Sequence, residues 1–336
     1  MTPKSLDLKP ASYSFFQSQF TKPVWPSKET SLAGATAIIT GGNSGIGFAG
    51  TRALLSLNLR RLIIAVRTPA KGEAAASTLR EKFPNAKIDV WQIDMLSFKS
   101  IQAFAEKCKT LDRLDLAILN AGTAESKFKK SSDGHETTFQ VNYLSTVLLA
   151  SLLLPILKQK SPSGRPGRLS LVNSGTSLAA KFPMATSEGV LSYFDDETTF
   201  NALTAYARSK ALAHFWILKL AERVKPEDVV VNLVDPGLVK GTSLDRNFNF
   251  VFNAIVTAIK FVVARTKEQG ASTFVNAAVV QGKESHGCYI QDWKIFPYTA
   301  PAYGEEGRAL ADRIWDETLD VLSFADIDGV IESLSS

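Results

Sequence analysis

The sequence predicts an α/β fold in which a doubly wound parallel sheet is covered by helices on both faces. Short apolar segments alternate along the chain with longer segments whose apolar residues recur at helical spacing. The short segments are apolar throughout, which is typical of strands that are buried on both faces of a parallel sheet. A glycine-rich turn directly follows the first of them. These three observations indicate one α/β domain built around a single sheet.

The elements alternate in order along the chain. The short apolar segments predict strands at residues 35–40, 61–66, 87–93, 114–119, 168–172 and 229–234. Helical spacing predicts one helix that begins after residue 47 and a second that ends at about residue 83. It predicts further helices over 97–109, 139–157 and 203–223. The first 30 residues form an N-terminal arm by this interpretation, and residues 31–336 form the domain.

Composition excludes several classes of function. The chain has 336 residues, 45% of them hydrophobic and 21% charged, which is ordinary for a globular protein. The formal net charge is +5, but the basic residues are dispersed, so we expect no nucleic-acid partner. Two cysteines and three histidines form neither a disulfide framework nor a zinc-ligand pattern, so we expect no metal.

The N-terminal arm does not have the pattern of a secretory signal, because no basic stretch precedes an apolar one. We therefore expect a cytoplasmic protein. No segment has an uninterrupted transmembrane length, so we expect no transmembrane helix. The arm is rich in aromatic residues, which predicts that it packs on the core. They are Tyr13, Phe15, Phe16, Phe20 and Trp25.

The glycine-rich turn is a candidate phosphate-binding loop. It lies between a strand and a helix, which is the context that a dinucleotide fingerprint requires. Glycines allow a tight turn and a close approach of the backbone to a pyrophosphate, and the helix N-terminus offers N–H groups to the anion. An ordinary glycine-rich turn is the alternative interpretation. The candidate residues are Gly41, Asn43, Ser44, Gly45, Ile46 and Gly47.

Polar or turn-forming residues follow the predicted strands. In a parallel sheet the carboxyl ends of the strands face one crevice, where ligands bind. The sequence therefore predicts a single cleft at this edge of the sheet. The residues at the strand ends are Thr40, Arg67, Asp94, Asn120, Ser174, Pro236 and Gly237.

Three motifs together resemble those of the short-chain dehydrogenase/reductase family, which has the Rossmann fold. They are Gly41-x-x-x-Gly45-x-Gly47, Asn120-Ala121-Gly122 and Tyr206-x-x-Ser209-Lys210. The resemblance extends from about residue 31 to about residue 303. The glycine spacing differs from that of the extended relatives that remodel nucleotide sugars. The resemblance implies a nicotinamide cofactor.

The residue after the second strand indicates NADP(H). An NAD enzyme places an acid about twenty residues after the glycines, on the ribose hydroxyls. Here the position holds Arg67, whose guanidinium can bind a 2′-phosphate, and Lys71 follows one helical turn later. A solvent-facing arginine is the alternative. Asp94 and Met95 match the adenine-contacting position of the family, although an aspartate there is also a common helix cap.

The resemblance supplies further cofactor-binding candidates. Asn120, Ala121 and Gly122 match the motif that supports the central strand and leaves room for the cofactor. The turn after the sixth strand matches the family segment that contacts the nicotinamide carboxamide. Its candidates are Pro236, Gly237, Val239 and Thr242.

Four residues match the catalytic tetrad of the family. Tyr206 and Lys210 are four residues apart and share one face of a helix. A free tyrosine has a pKa of about 10, and a neighbouring ammonium together with an oxidised nicotinamide is expected to lower it. The resemblance implies that Ser174 holds the substrate oxygen, that Lys210 also binds the cofactor ribose, and that Asn142 anchors a water for proton relay. Alone, a Tyr-x-x-x-Lys pair is usually packing, and a serine at a strand end is usually a cap.

The chain as a whole resembles fungal retinol-dehydrogenase-like reductases. It shares with them a long insertion between Ser174 and Tyr206. The resemblance implies reduction of a ketone or aldehyde of an apolar small molecule, such as a secondary-metabolite intermediate, by a monomer or homodimer. The alternatives are an oxidative retinol- or steroid-type alcohol dehydrogenase and a non-catalytic protein that senses NADP.

The apolar segment from residue 244 to residue 263 follows the sixth strand at the cofactor end of the sheet. It is too apolar for a freely exposed loop. We expect a mobile lid over an apolar substrate. A buried helix and an interfacial membrane contact are the alternatives, although few basic residues flank the segment.

Overall fold

A computed structural model describes residues 2–10, 15–181, 189–242 and 260–334. It contains an eight-stranded sheet in which the order is β3-β2-β1-β4-β5-β6-β7-β8. All neighbouring strands are parallel except β7 and β8. The strands are Thr36–Thr40 (β1), Arg61–Val66 (β2), Lys87–Gln92 (β3), Leu116–Leu119 (β4), Gly167–Val172 (β5), Val229–Val234 (β6), Tyr289–Gln291 (β7) and Lys294–Phe296 (β8).

Helices lie on both faces of this sheet, so the predicted doubly wound α/β fold is confirmed. Thr266 and Gln269 form a reciprocal capping box at the start of α8. The described helices are Phe15–Gln19 (α1), Gly45–Ser56 (α2), Pro69–Lys82 (α3), Phe98–Lys109 (α4), Thr137–Phe139 (α5), Ser145–Lys160 (α6), Ala202–Arg223 (α7), Lys267–Val275 (α8), Gly304–Val321 (α9) and Ile327–Glu332 (α10).

Strands β7 and β8 were not predicted from the sequence. Each has three residues, which is too short for apolar periodicity to appear. Asp292 and Trp293 connect them with φ values of 52° and 61°, as a tight hairpin turn requires. This hairpin extends the sheet beyond β6, next to the predicted cleft.

Helices α5 and α6 are joined by a π-helical turn, Gln140–Leu144, which contains Asn142. The combined helix, Thr137–Lys160, is long and apolar enough to cross a membrane by length and composition, contrary to the sequence expectation. However, 89% of its most apolar window is buried inside the protein. Its apolar residues therefore serve the core of the domain.

The core divides into two clusters, one on each face of the sheet. Neighbouring residues of β1 point to opposite faces, so Ile38 joins one cluster and Ile39 the other. The first cluster includes Leu148 of α6 and Trp216 of α7. The second includes Phe274 of α8. The two clusters fix helices α6, α7 and α8 against the sheet and so fix the residues that line its carboxyl edge.

The N-terminal arm packs on the domain, but not through the aromatic residues that the sequence suggested. Phe16, Phe20 and Trp25 are 63%, 66% and 51% exposed. Ser18 and Gln19 are buried instead. The expectation is wrong because polar contacts, described below, turn the Ser18–Gln19 face of α1 inward. Tyr13 lies outside the described residues.

Candidate active site

The glycine loop between β1 and α2 leaves no room for a side chain at Gly47. Gly41 has a φ of 67°, which favours glycine. A Cβ on Gly47 would lie 2.3 Å from the Gly41 carbonyl oxygen and 2.7 Å from Asn120 Nδ2. The turn therefore brings backbone to backbone at the start of α2, as the phosphate-binding interpretation requires.

The N-terminus of α2 is open to an anion. Ser44 is its N-cap residue, but the serine side chain makes no capping hydrogen bond. The first N–H groups of a helix have no intrahelical partners, so they remain available to a ligand. Thr242 faces this loop, since its Cγ2 lies 4.0 Å from the position of a Cβ on Gly45. Asn43 and Ile46 are half-buried in the same turn.

Asn120 joins the glycine loop to the end of β4. Its Nδ2 donates to the Thr40 carbonyl at 3.0 Å, and the Thr40 hydroxyl accepts from the N–H groups of Asn120 and Ala121, each at 2.9 Å. Asn120 Oδ1 is buried and has no hydrogen-bond partner. A tight glycine cradle, an uncapped helix and an unpartnered amide oxygen fit a bound dinucleotide.

The predicted adenosine-side residues lie at the ends of β2 and β3. Arg67 and Lys71 are exposed, and β2 itself contains no acidic residue. Asp94 is half-buried, and its Oδ1 accepts from the Leu96 N–H at 3.0 Å, so it also caps its own turn. Met95 is buried. Asp94 thus stabilises the turn before α4, while Ser97 is the N-cap of that helix, and the adenine contact of Asp94 stays a prediction.

The four predicted tetrad residues come together at the carboxyl edge of the sheet. The Ser174 hydroxyl shares a hydrogen bond of 2.9 Å with the Thr176 hydroxyl and accepts from the Thr176 N–H at 3.3 Å, so it caps the turn after β5. Ser174 is also near enough to Tyr206 to lower the pKa of the phenol. A Cβ on Gly122 would lie 3.1 Å from Asn142 Oδ1 and 3.6 Å from Lys210 Nζ. Gly122 therefore lies between Asn142 and Lys210, and a larger residue would push them apart.

The Asn142 amide is fully engaged within the protein. Its Oδ1 accepts from the Thr123 N–H at 3.0 Å, and its Nδ2 donates to the Thr123 carbonyl at 2.8 Å and to the Ser209 hydroxyl at 3.0 Å. The side chain thus ties the β4 end to α7. The role of Asn142 in anchoring a water for proton relay stays a prediction.

The turn after β6 reaches the glycine loop. Gly237 has a φ of 75°. Val239 is buried, and its Cγ2 lies 2.5 Å from the position of a Cβ on Gly270 in α8. The Thr242 hydroxyl donates to the Val239 carbonyl at 3.3 Å. Pro236, Gly237, Val239 and Thr242 therefore form one continuous wall opposite the N-terminus of α2.

Comparison with known proteins agrees with this geometry. The family model described as short chain dehydrogenase matches residues 35–186. Short chain dehydrogenase/reductase mfmJ of Annulohypoxylon moriforme is 47% identical, over 98% of both chains. The chain belongs to the short-chain dehydrogenase/reductase family. A second member, short chain dehydrogenase virL of Hypocrea virens, is 40% identical over 95% of this chain and 94% of its own.

Solved structures of the short-chain dehydrogenase/reductase fold superpose on this one. An NADPH-bound short chain oxidoreductase from Pseudomonas aeruginosa has a TM-score of 0.58 at 22% identity, covering 78% of this chain and 96% of its own. A short chain dehydrogenase from Shigella flexneri has a TM-score of 0.58 at 19% identity, covering 82% and 96%. At these identities the likeness concerns the fold.

The electrostatics of this short-chain dehydrogenase/reductase site differ from the sequence expectation. Desolvation raises the pKa of Tyr206 to about 12, while the nearby Ser174 hydroxyl acts in the opposite direction. Burial lowers the pKa of Lys210 from 10.5 to about 8. The expected lowering of the Tyr206 pKa by Lys210 is not met in the protein alone, because the Lys210 ammonium donates to the Val172 carbonyl at 2.8 Å.

Sequence reasoning missed Asp235, which lies between β6 and Pro236. It is 1% exposed, and its Oδ1 accepts from the Gly237 N–H at 2.9 Å. Burial raises the pKa of Asp235, and its charge contributes to the raised pKa of Tyr206. An aspartate before Pro-Gly is typical of a turn, so only its place at the end of a wholly apolar strand could have identified it.

The insertion between Ser174 and Tyr206 folds against the start of α7. Arg208 Nη1 donates to the Tyr193 hydroxyl at 2.6 Å, and Arg208 Nε donates to the Lys181 carbonyl at 3.1 Å. The same insertion also contacts α9, where Glu317 accepts from the Leu191 N–H at 2.7 Å. The described ends of the insertion are therefore held beside Tyr206.

The expected lid at residues 244–263 lies almost wholly outside the described residues. Only its last four residues are described, and there Phe261 and Val262 are 84% and 73% exposed. The choice among lid, buried helix and membrane contact stays a prediction.

Proposed function

We propose that this protein is an NADP(H)-dependent oxidoreductase that reduces a ketone or aldehyde of an apolar small molecule, such as a secondary-metabolite intermediate. One observation carries the proposal. Asn142 Oδ1 and Lys210 Nζ lie within 4 Å of the position of a Cβ on Gly122, at the edge of the sheet that also carries the glycine loop, and Ser174 is near enough to Tyr206 to affect the pKa of its phenol. A proton donor, an orienting hydroxyl and a dinucleotide cradle therefore line one cleft.

The choice of NADP(H) rests on the residue after β2. Arg67 is exposed at this position, and neither it nor β2 supplies a carboxylate that would repel a 2′-phosphate. Lys71 adds a second exposed cation one helical turn away. Arg67 and Lys71 would hold the 2′-phosphate, and the glycine loop would hold the pyrophosphate. When bound, the reduced cofactor supplies the hydride.

The chain's own residues then handle the proton and the oxygen. Because its pKa is raised to about 12, the Tyr206 phenol is protonated near neutral pH and can donate to a carbonyl oxygen. The Ser174 hydroxyl, at the end of β5, would orient that oxygen. Lys210 is buried beside Gly122, where its ammonium can stabilise the phenolate that remains after proton transfer.

We propose reduction as the direction because cellular NADP(H) pools are usually kept reduced. The raised pKa of Tyr206 does not select a direction, because reduction leaves the phenolate and oxidation requires it. The presence of all four tetrad residues in one cleft argues against a purely cofactor-sensing role.

The decrease of NADPH absorbance in the presence of apolar ketones and aldehydes tests the proposal. We expect consumption with at least one aryl or alicyclic ketone, and slower consumption with NADH. A protein that binds NADPH but consumes none across a broad carbonyl panel, while oxidising apolar secondary alcohols with NADP⁺, would establish the dehydrogenase direction instead.

A further inference from the structure

Several buried polar atoms without a hydrogen-bond partner surround the turn after β6. Among the described residues, Gln19 Nε2 and Oε1, Asp235 Oδ2 and Arg265 Nε are buried and unpartnered. A buried polar group without a partner lowers the stability of a protein, so a cluster of them requires an explanation. All three side chains contact the Pro236–Gly237 turn.

The contacts place Gln19 directly against this turn. Gln19 Nε2 lies 3.1 Å from the position of a Cβ on Gly237, and Arg265 Nη1 lies 2.9 Å from it. Arg265 Nη1 donates to the Pro236 carbonyl at 3.2 Å. Asp235 accepts from the Gly237 N–H on the same turn. We call Gln19, Asp235 and Arg265 the β6-turn cluster.

Helix α1 is anchored in this position through Ser18. The Ser18 hydroxyl donates to Asp292 Oδ1 at 2.8 Å, and the Ser18 carbonyl accepts from Arg265 Nη2 at 2.7 Å. Asp292 follows β7, and Asp235 follows β6, so the arm crosses the carboxyl ends of both strands. Ligands of open α/β sheets bind beyond these ends.

The polar atoms of the cluster have a definite chemical preference. The Gln19 amide offers two N–H donors on Nε2 and an acceptor oxygen, Oε1, without a net charge. Asp235 Oδ2 adds an acceptor, and Arg265 Nε adds a donor. A group that both donates and accepts, such as a hydroxyl or a primary carboxamide, can engage these atoms better than a plain carbonyl.

We propose that Gln19 is a specificity-determining residue through which the N-terminal arm binds a hydroxyl or carboxamide group of a ligand in the cleft. This inference rests on the proposed function. The group belongs either to the substrate, away from its reacting carbonyl, or to the nicotinamide carboxamide. The N-terminal arm is thereby part of the binding site and not only a covering segment.

Gln19→Met tests this inference, because methionine has a similar size but neither a donor nor an acceptor. Gln17→Met is the matched control, since Gln17 lies on the same helix but is exposed. Each variant is compared with the wild-type protein by its melting temperature without ligand and by its Kd for NADPH. A third measurement is kcat/KM for pairs of aryl ketones, in which one member carries a hydroxyl group and the other does not.

For Gln19→Met we expect an unliganded melting temperature at or above that of the wild type, because an unpartnered buried amide is removed. If the substrate supplies the group, kcat/KM falls about tenfold for hydroxylated ketones only, as expected for a lost hydrogen bond. If the cofactor supplies it, the Kd for NADPH rises by about the same factor. Gln17→Met should change none of these quantities.

The inference is overturned if Gln19→Met leaves both the NADPH Kd and the paired kcat/KM ratios unchanged, whatever its melting temperature. Its failure is distinguishable from failure of the proposed function. If the wild type reduces no ketone, the proposed function fails. Gln19→Met can then still be compared with the wild type by two binding measurements: the Kd for NADPH, and the shift in melting temperature that each hydroxylated ketone causes. Unchanged values in both measurements then overturn the inference as well.

Discussion

The ammonium of Lys210 donates a hydrogen bond of 2.8 Å to the main-chain carbonyl of Val172, the last residue of β5. Lys210 is 5% exposed, and burial lowers its pKa from 10.5 to about 8. The sheet therefore holds the Lys210 side chain, and burying its charge lowers the stability of the fold. We expect removal of this charge to raise stability while it removes activity.

Lys210→Met should increase the free energy of unfolding near pH 7 by about 1–3 kcal/mol while abolishing turnover. The lowered pKa means that the unfolded chain binds more protons than the folded protein between about pH 8 and 10.5. The free energy of unfolding of the wild type therefore rises with pH across this window, and the difference in stability between Lys210→Met and the wild type shrinks. Urea unfolding of both proteins at several pH values measures this difference. An advantage that does not change with pH would contradict the assignment.

Asp235→Asn should lower the pKa of Tyr206. The negative charge of Asp235 contributes to the raised pKa of the phenol, and asparagine keeps the acceptor for the Gly237 N–H without that charge. Reduction requires a protonated phenol, so the alkaline limb of the kcat profile should move to lower pH. An unchanged limb would show that Asp235 does not act on the reacting phenol. Exposed Asp196 provides the matched control, Asp196→Asn.

Gly47→Ala should prevent cofactor binding. The added methyl group would lie 2.3 Å from the Gly41 carbonyl oxygen, so the turn between β1 and α2 would have to open. Fluorescence titration with NADPH should show a loss of affinity of at least about tenfold, and circular dichroism should verify that the variant folds. Gly134→Ala is the comparison for a methyl group added without a clash, because nothing lies within 4 Å of a Cβ there. Unlike Gly47, Gly134 has a positive φ of 92°, so this variant carries backbone strain in addition.

Arg67→Asp should shift the cofactor preference from NADPH toward NADH. The substitution replaces an exposed cation at the end of β2 with a carboxylate, which repels a 2′-phosphate and can bind ribose hydroxyls. The ratio of kcat/KM values for the two cofactors measures the shift, and Arg60→Asp, at an exposed position before β2, controls for charge alone. A wild-type protein that already prefers NADH would refute the proposed role of Arg67.

The sequence predicted the strands that carry the motifs because each is an uninterrupted apolar run followed by a turn or a polar residue. It predicted that Tyr206 and Lys210 share a helix face, since this depends only on helical periodicity. It could not predict that Lys210 bonds to Val172, because that contact depends on how α7 packs on β5.

The sequence also missed contacts between segments that are far apart in the chain. Ser18 and Asp292 are separated by 274 residues, and no local pattern links them. The aromatic residues of the arm suggested the wrong inward face, because apolar residues usually turn toward a core, whereas Phe16, Phe20 and Trp25 are exposed. Strand β7 and its hairpin, which receive the arm, are too short to produce a periodic signal.

The most direct test of the proposed chemistry compares Tyr206→Phe with the wild type in single-turnover NADPH oxidation with a ketone substrate. Phenylalanine keeps the ring but removes the phenol hydroxyl that is proposed to donate the proton. We predict unchanged NADPH affinity and a rate reduced by about 10²–10⁴-fold, as expected for the loss of a general acid. A variant that retains more than about a tenth of the wild-type rate would contradict the assignment of Tyr206 as the proton donor.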